Sequence, residues 1–532
     1  MKKLKMIKET GKGISGIIGG TFSLTVSTII VKLLGLIYKI PLAGLLGDEG
    51  MGYFNSAYTV YTFFFLLCTA GVPKAVMILV SEAKAKGSVI DENNIVRVAS
   101  RLFLLVGIVI CAIFMLFSIP LAKLIGNSRS ATTMLCIAPS IVLISLAGVI
   151  RGYLSANMRL LDIAVSQIIE GVGKLVTGLA LAIWATRLGF DLEIVSALTI
   201  LGVSFGAFLG LAYLLVISKI GIKREKTGQN YEKANLGLII GRILSISLPI
   251  TASAAVMSLT NIIDLGLIMR SLISVGYTES EAGSLYGNYT TLAVPMLNLA
   301  LAILTPISIA HLPLFTKAYV GADIKEELAA EDSALRLTAF IGAPIMIGLT
   351  VYSKEILDFL FVNSETNVGS LLLCLLSPAI YFSSLLLVIN TELESRGKVK
   401  APVISMLFGS VAKIAVSYIL IRTPEIGISG APIGTVVSYA VALFVSVIIY
   451  QRECKRSIGI LSKTISSHLY AGAAVAISRP IYNIVVHKFG NFYALIIAII
   501  VCTVIYLSFS TFSGFLRSNN VKKMANYTNF KV

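Results

Sequence analysis

Lys32 and Lys39 stand seven residues apart inside Ile17 to Leu45, a stretch built otherwise almost wholly of apolar and small side chains. At about 1.5 Å per residue, a helix of that length covers more than the ~30 Å hydrocarbon thickness of a bilayer. Lys32, near its midpoint, therefore lies too deep to reach either surface easily. An ammonium at that depth costs roughly 2.5–3.5 kcal/mol on insertion scales. Seven residues are nearly two helical turns, so both lysines share one face. That face is expected to line a cavity, and the chemistry two such ammonium groups offer is the binding of an anion.

Other ionisable and polar residues recur at helical spacing. Lys74 follows Gly71-Val72-Pro73, where a proline inside a membrane helix frees a carbonyl and kinks the chain; a lysine snorkelling to the interface is the competing reading. Glu170 and Lys174 stand four apart with the acid first, the favourable order for an internal ion pair, which suits a structural role at least as well as a coupling one. Asn261 and Asp264, three apart, fall on one face, with Arg242 towards one end of that span and Arg270 towards the other. Asp264 has no base within one turn, so it pairs with Lys32 or Lys39 or takes a coupling proton or Na+. The three histidines, His311, His468 and His487, and the six cysteines are scattered without ligand or pairing spacing. No metal site and no histidine-based triad are expected.

The elements that must hold these groups are membrane helices. Hydrophobic residues make up 56% of the chain and charged residues 13%, with a mean hydropathy of +0.88, well outside the range of soluble domains. Apolar runs of bilayer-crossing length recur from end to end, which predicts an all-α polytopic membrane protein of about fourteen transmembrane helices and argues against the alternation of a barrel. The first runs over 17–45, the seventh over 237–269, and the last two over 465–486 and 490–512. The stretch after Met1 to Lys12 is too long, and lacks the small-residue pattern, for a cleavable signal.

Lysine and arginine crowd alternate joints, most densely at Lys219, Lys223, Arg224, Lys226 and Lys233. The positive-inside rule then places both termini in the cytoplasm. The net charge of +17 is explained by attraction to anionic lipid headgroups and gives no support for nucleic-acid binding.

The chain repeats itself. A shift of 239 residues lays Pro139 on Pro378, Ser145 on Ser384, Ser166 on Ser405 and Lys174 on Lys413. A shift of 233 lays Gly50 on Gly283, Tyr53 on Tyr286, Asn55 on Asn288 and Pro73 on Pro306. Two copies of six helices in the same orientation make a parallel repeat with a cavity between halves. The bundles are expected at 1–233 and 234–460, with two extra helices and a basic tail in 461–532.

Two six-helix halves, an added pair, and the segments Lys32-Leu-Leu-Gly35, Gly71-Val-Pro-Lys74, Arg151-Gly152 and Val165-Ser-Gln-Ile-Ile-Glu-Gly171 together resemble the multidrug/oligosaccharidyl-lipid/polysaccharide exporter superfamily. Within it they resemble the polysaccharide-exporter branch, which includes the stage V sporulation protein B group and the lipid II flippases. The resemblance implies a flippase of the bacterial plasma membrane that moves an undecaprenyl-pyrophosphate-linked saccharide from the inner to the outer leaflet by alternating access. Membrane potential, a proton or Na+ would drive it, and no cofactor is implied. Lys32, Lys39, Lys74, Asn261, Asp264 and Asn288 become candidate substrate residues, with Arg151, Glu170, Lys174, Arg270 and Lys413 as structural or coupling residues. The partners expected are membrane lipids and the lipid-linked saccharide, and the protein is expected to act as a monomer. Lys32 stands where flippases of this branch commonly carry arginine, and Asn288-Tyr289-Thr290 where they carry a further base, so bidentate recognition of the pyrophosphate does not carry over.

Two rivals remain. A cation-coupled multidrug exporter of the same superfamily would call for an acidic cavity, whereas the candidate charges here are mainly basic. A glycan polymerase or glycosyltransferase would need a carboxylate or metal cluster in a sizeable loop, which the spacing of the spans does not provide. The last two helices, outside the repeat, are expected to shape a groove for the polyprenyl tail. Trimming the chain after Thr511 should leave transport largely intact, while deleting both helices should abolish it; outer-face accessibility of a labelled lipid-linked sugar measures both.

Overall fold

The computed structural model describes residues 2–85, 89–221, 236–362, 364–398 and 400–512. Lys223, Arg224, Lys226 and Lys233 of the basic joint and Arg517, Lys522, Lys523 and Lys531 of the tail lie outside the described residues, as does the side chain of Lys219. All regular structure among the described residues is helical: α1 (Lys2–Thr69), α2 (Val72–Ala85), α3 (Val89–Ile125), α4 (Ser130–Ile137), α5 (Pro139–Ala156), α6 (Leu160–Arg187), α7 (Leu192–Gly221), α8 (Leu236–Ser274) and α9 (Glu279–Asn288) come first. A π-helical turn (Tyr289–Ala293) then leads into α10 (Val294–Val320), α11 (Ile324–Val351), α12 (Ser353–Leu360), α13 (Asn367–Leu376), α14 (Pro378–Ser395), α15 (Ala401–Ile421), α16 (Gly430–Cys454) and α17 (Ile460–Phe512).

Among the described residues eleven stretches are long and apolar enough to cross a membrane. Two of them double back on themselves. In α1 the reversal rests on Gly47, whose φ of 62° is open to glycine at little steric cost; Tyr38 and Phe54, one on each arm, stack edge to face at 6.2 Å. In α17 Gly490 does the same at φ 79°, and Tyr470 and Phe509 meet across the hairpin at 6.2 Å. Counting those arms separately and adding the 39-residue α8 gives the fourteen expected crossings. The chain is a multi-pass, all-α membrane protein.

The structure differs from the sequence reading at one local point. Gly71-Val72-Pro73-Lys74 is a break between helices and not a kink within one: α1 ends at Thr69 and α2 begins at Val72. Pro73 thereby sits in a first helical turn, where its missing N–H costs nothing. A β-carbon on Gly71 would overlap the carbonyl oxygen of Ser247, so the break also admits close contact with α8. Between the two arms of α1 only Gly47 leaves helical geometry, and Asp48 onward is already helix.

Contacts divide the chain into two compact units, one of 1–273 with 278–287, the other of 274–277 with 288–532. Within the second, a short helix and then an 18-residue helix starting at Pro378 repeat the arrangement of the first, where α4 precedes an 18-residue helix starting at Pro139. We propose the sequence repeat, 1–233 and 234–460 with 461–532 appended, as the covalent organisation underlying this packing.

In the first unit α6 and α7 run antiparallel and nearly touch backbones. A β-carbon on Gly202 would strike Gly178, one on Gly206 would strike the backbone of Glu170 and Lys174, and Gly173 faces Gly206. With lipid tails as apolar as leucine, such helices associate by packing, and small residues let them approach. Gly206→Leu should therefore destabilise the protein by about 1–3 kcal/mol through overpacking. Gly35→Ala, at a position with nothing within 4 Å, should be close to neutral; thermal unfolding of the detergent-solubilised protein separates the two.

Candidate functional site

The site in the first unit is laid down by α1 and α6, which run parallel side by side. Ser27 Oγ donates to Gln167 Oε1 at 3.4 Å, Leu34 lies against Gly171, and the ring of Tyr38 fills the space a side chain at Gly178 would need. That last contact leaves Tyr38 2% exposed, donating its hydroxyl to the Thr199 carbonyl at 3.3 Å.

Lys174, halfway along α6, points its ammonium at two aromatic faces: Nζ lies 4.7 Å from the Tyr58 ring centroid and 5.4 Å from that of Tyr38. A cation over such rings gains ~0.5–1 kcal/mol when exposed and about 2 or more when desolvated. Lys39, half-buried on α1, is near enough for its charge and that of Lys174 to interact. The pair expected within α6 does not form. Glu170 is instead taken by Arg151 of α5, Nη2 to Oε2 at 2.7 Å, and Arg151 Nε donates to Ser166 Oγ at 3.3 Å. A guanidinium on the neighbouring helix offers an aligned, charge-assisted hydrogen bond, and the rings hold the lysine elsewhere. Lys174 has no ion pair among the described residues.

The other candidates separate. Lys32 and Lys74 are exposed, Asn261 is exposed, and Asp264 is half-buried one turn away on α8. Arg270 is engaged structurally, donating Nε to the Leu124 carbonyl at 2.6 Å. In the second unit Asn288 is buried at the start of the π-helical turn, and Lys413 is half-buried on α15 near Tyr439. The arrangement thus sets Lys174 over Tyr38 and Tyr58, with Lys39 following Tyr38 in α1. It joins Arg151 to Glu170 and leaves the remainder at separate positions.

Sequence reading missed the tyrosines, although Tyr38 beside Lys39 was the available signal. It also missed the charge-rich end of the second unit, where Glu327, Glu331, Glu392, Arg396, Arg456 and Lys463 interlock. These residues fall at helix ends, where charge looks like ordinary interfacial polarity. An apolar groove of about 410 Å³ opens between α11 and α17, lined by residues such as Phe340, Pro344, Tyr352, Val475, Leu495 and Tyr506.

Residues 17–319 match the family described as polysaccharide biosynthesis protein. Over 530 residues the chain is 24% identical to lipid II flippase MurJ of Bacillus subtilis (strain 168), an alignment covering 94% of this chain and 96% of that protein. It is also 24% identical over 420 residues to stage V sporulation protein B of the same organism, covering 78% and 80%. Its fold is similar to that of a solved lipid II flippase MurJ in an inward closed conformation, with a TM-score of 0.71, 17% identity and coverage of 93% and 98%. It is similar too to an inward-facing multidrug resistance MATE family transporter of the MOP superfamily, with a TM-score of 0.63, 16% identity and coverage of 84% and 99%.

Arg151→Met leaves the Glu170 carboxylate without its base and should lower stability by on the order of 2 kcal/mol. Adding Glu170→Gln should recover most of that loss, because the uncompensated charge is gone. Thermal melts of the single and double variants read this directly.

Proposed function

Because the chain belongs to the polysaccharide biosynthesis protein family of the multidrug/oligosaccharidyl-lipid/polysaccharide exporter superfamily, and is thus a membrane flippase or exporter, we propose that its cargo is a saccharide linked through pyrophosphate to undecaprenol. The observation that carries this reading is the Lys174 ammonium held over the rings of Tyr38 and Tyr58, with Lys39 next to Tyr38 in the chain and Glu170, the acid on the same helix, committed to Arg151. Two neighbouring ammonium groups in a membrane site repel each other, and an anion that binds there relieves the repulsion. A pyrophosphate suits such a site because it offers several oxygens to point charges that approach from two helices.

The tyrosines add to this. Tyr38 and Tyr58 hold the Lys174 ammonium in place, so little side-chain entropy is lost when the anion arrives. Exposed Lys32 and Lys74 extend the basic character along the route we propose for the cargo, and the α11/α17 groove supplies an apolar surface for the polyprenyl chain.

We take the termini as cytoplasmic and the direction as inner to outer leaflet. An anion moving outward across a membrane that is negative inside gains roughly 2.3 kcal/mol per charge per 100 mV, so the potential alone drives the step. Asp264 is the residue at which a proton or Na+ would couple if one takes part. The multidrug reading draws on fold similarity, and against it stands the basic character of this site.

The test is replacement in cells depleted of their own lipid II flippase. The protein should restore growth and the outward appearance of labelled lipid II. Lys39→Ala and Lys174→Ala should each reduce flipping at least tenfold with normal membrane levels, and Lys174→Arg should retain most of it. Full activity in the Lys39→Ala, Lys174→Ala double variant would contradict the assignment of the site. Failure of the parent chain to replace the flippase, with export of a different lipid-linked sugar intact, would move the substrate within the class.

A further inference from the structure

We propose that the α17 hairpin is fastened to α11 and α12 at three heights and is carried by the second unit as one rigid body through the transport cycle, an inference that rests on the transporter reading above. A hairpin outside the internal repeat has no symmetry-related neighbour to hold it. Its attachment must come from its own contacts, and these are distributed over the whole length of α11.

At one end stands a buried ion cluster. Glu331 of α11, 1% exposed, accepts from Lys463 in the first turn of α17, from the Tyr450 hydroxyl at 2.6 Å and from Arg456 at 3.3 Å. Arg456, in the joint between α16 and α17, also reaches Glu327 at 3.2 Å and Glu392 at 3.5 Å. Arg396 at the end of α14 closes the circuit on Glu327 at 3.0 Å and Glu392 at 3.2 Å. Three carboxylates thus meet three bases, and the start of α17 is tied to α11, α14 and α16 together.

Halfway, Tyr506 on the returning arm donates its hydroxyl to the Phe340 carbonyl at 2.8 Å, over a tight cluster of Ala343, Ala471 and Ala474. At the far end Arg479 pairs with Glu355 of α12 at 2.7 Å, its guanidinium flanked by the rings of Tyr352 at 5.2 Å and Tyr482 at 5.3 Å. Tyr352 also shares a hydrogen bond with Ser478 at 2.8 Å, and Asn491, next to the Gly490 reversal, donates to the Glu355 carbonyl at 3.2 Å.

Charge pairs in a low-dielectric setting are strong only while their geometry is kept, and parting them leaves bare charges. With one such anchor at each end of α11 and a hydrogen bond between, sliding or hinging the hairpin would break all three at once. The groove between α11 and α17 therefore keeps its width while the protein changes state. Glu331, Lys463, Arg456, Arg479 and Glu355 act as positioning residues for the hairpin.

The experiment uses full-length protein in which the six native cysteines are replaced by alanine and spin labels are placed at two exposed sites, Leu328→Cys on α11 and Leu469→Cys on α17. Pulsed electron-electron resonance should give one narrow distance that is the same with and without undecaprenyl diphosphate. In the cargo-free protein Lys463→Met, which keeps the chain length but removes the charge, should at least double the width of that distribution, as should Arg479→Met. A narrow, unshifted distance in both variants, or a shift of more than about 5 Å on adding cargo to the parent, overturns the rigid attachment. A second label pair, Leu161→Cys with Leu469→Cys, should change with cargo; if it stays fixed while the variants broaden the first pair, the alternating-access reading fails and the attachment stands.

Discussion

An ionised side chain inside a bilayer must be answered, either by an opposite charge in the protein or by something that comes and goes. The second unit answers from within. At one end of it Glu327, Glu331 and Glu392 are matched by Arg396, Arg456 and Lys463, and the carboxylates of Glu331 and Glu392 are almost sealed from solvent. Among the described residues of the first unit the pattern is different. Arg151 neutralises Glu170, while Lys174 is left to the faces of two tyrosines in the neighbourhood of Lys39. On the function proposed above, that difference in how charge is satisfied separates scaffold from site.

The rest of the first unit serves that arrangement. Lys174 can stand where it does because α6 lies close against α7 through Gly178, Gly202 and Gly206 and against α1 through Gly171 and Gly178. Each glycine replaces a side chain that would push a helix outward and take the lysine off the rings. The same contact at Gly178 locks Tyr38, so the residue that orients Lys174 is fixed by the residue that permits the packing. Gly47 then turns α1 back so that Tyr58, on the returning arm, meets the same ammonium.

Much of the fold was legible because membrane helices write their length and their burial in composition. The apolar runs reappear as helices, and the repeated Pro139 and Pro378 as helix starts. What escaped were the junctions. A reversal needs one residue in the left-handed region, so Gly47 alone turns α1 back, and Pro73 proved to sit in a first helical turn because nothing local distinguishes a first-turn proline from an interior one. At the site, Lys39 and Lys174 were visible as charges at membrane depth, but their meeting depends on α1 and α6 running parallel, which no spacing within one helix reveals. Glu170 was assigned to Lys174 by an i,i+4 rule that holds for isolated helices; a guanidinium from α5 outcompeted it. The charge cluster of the second unit was hidden for the same reason, since its six members are brought together from three helices and a joint.

The central claim, that Lys39 and Lys174 together face the anionic part of the cargo, is tested most directly by their chemical reactivity. Purified protein is treated with a small amine-reactive reagent, with and without undecaprenyl diphosphate, and modification is quantified lysine by lysine by mass spectrometry. The account predicts that the lipid diphosphate protects Lys39 and Lys174 at least fivefold while leaving exposed Lys398 and Lys354 unchanged, and that undecaprenol without phosphate protects neither. Equal modification of Lys39 and Lys174 with and without the diphosphate, at concentrations where the lipid binds, would contradict it.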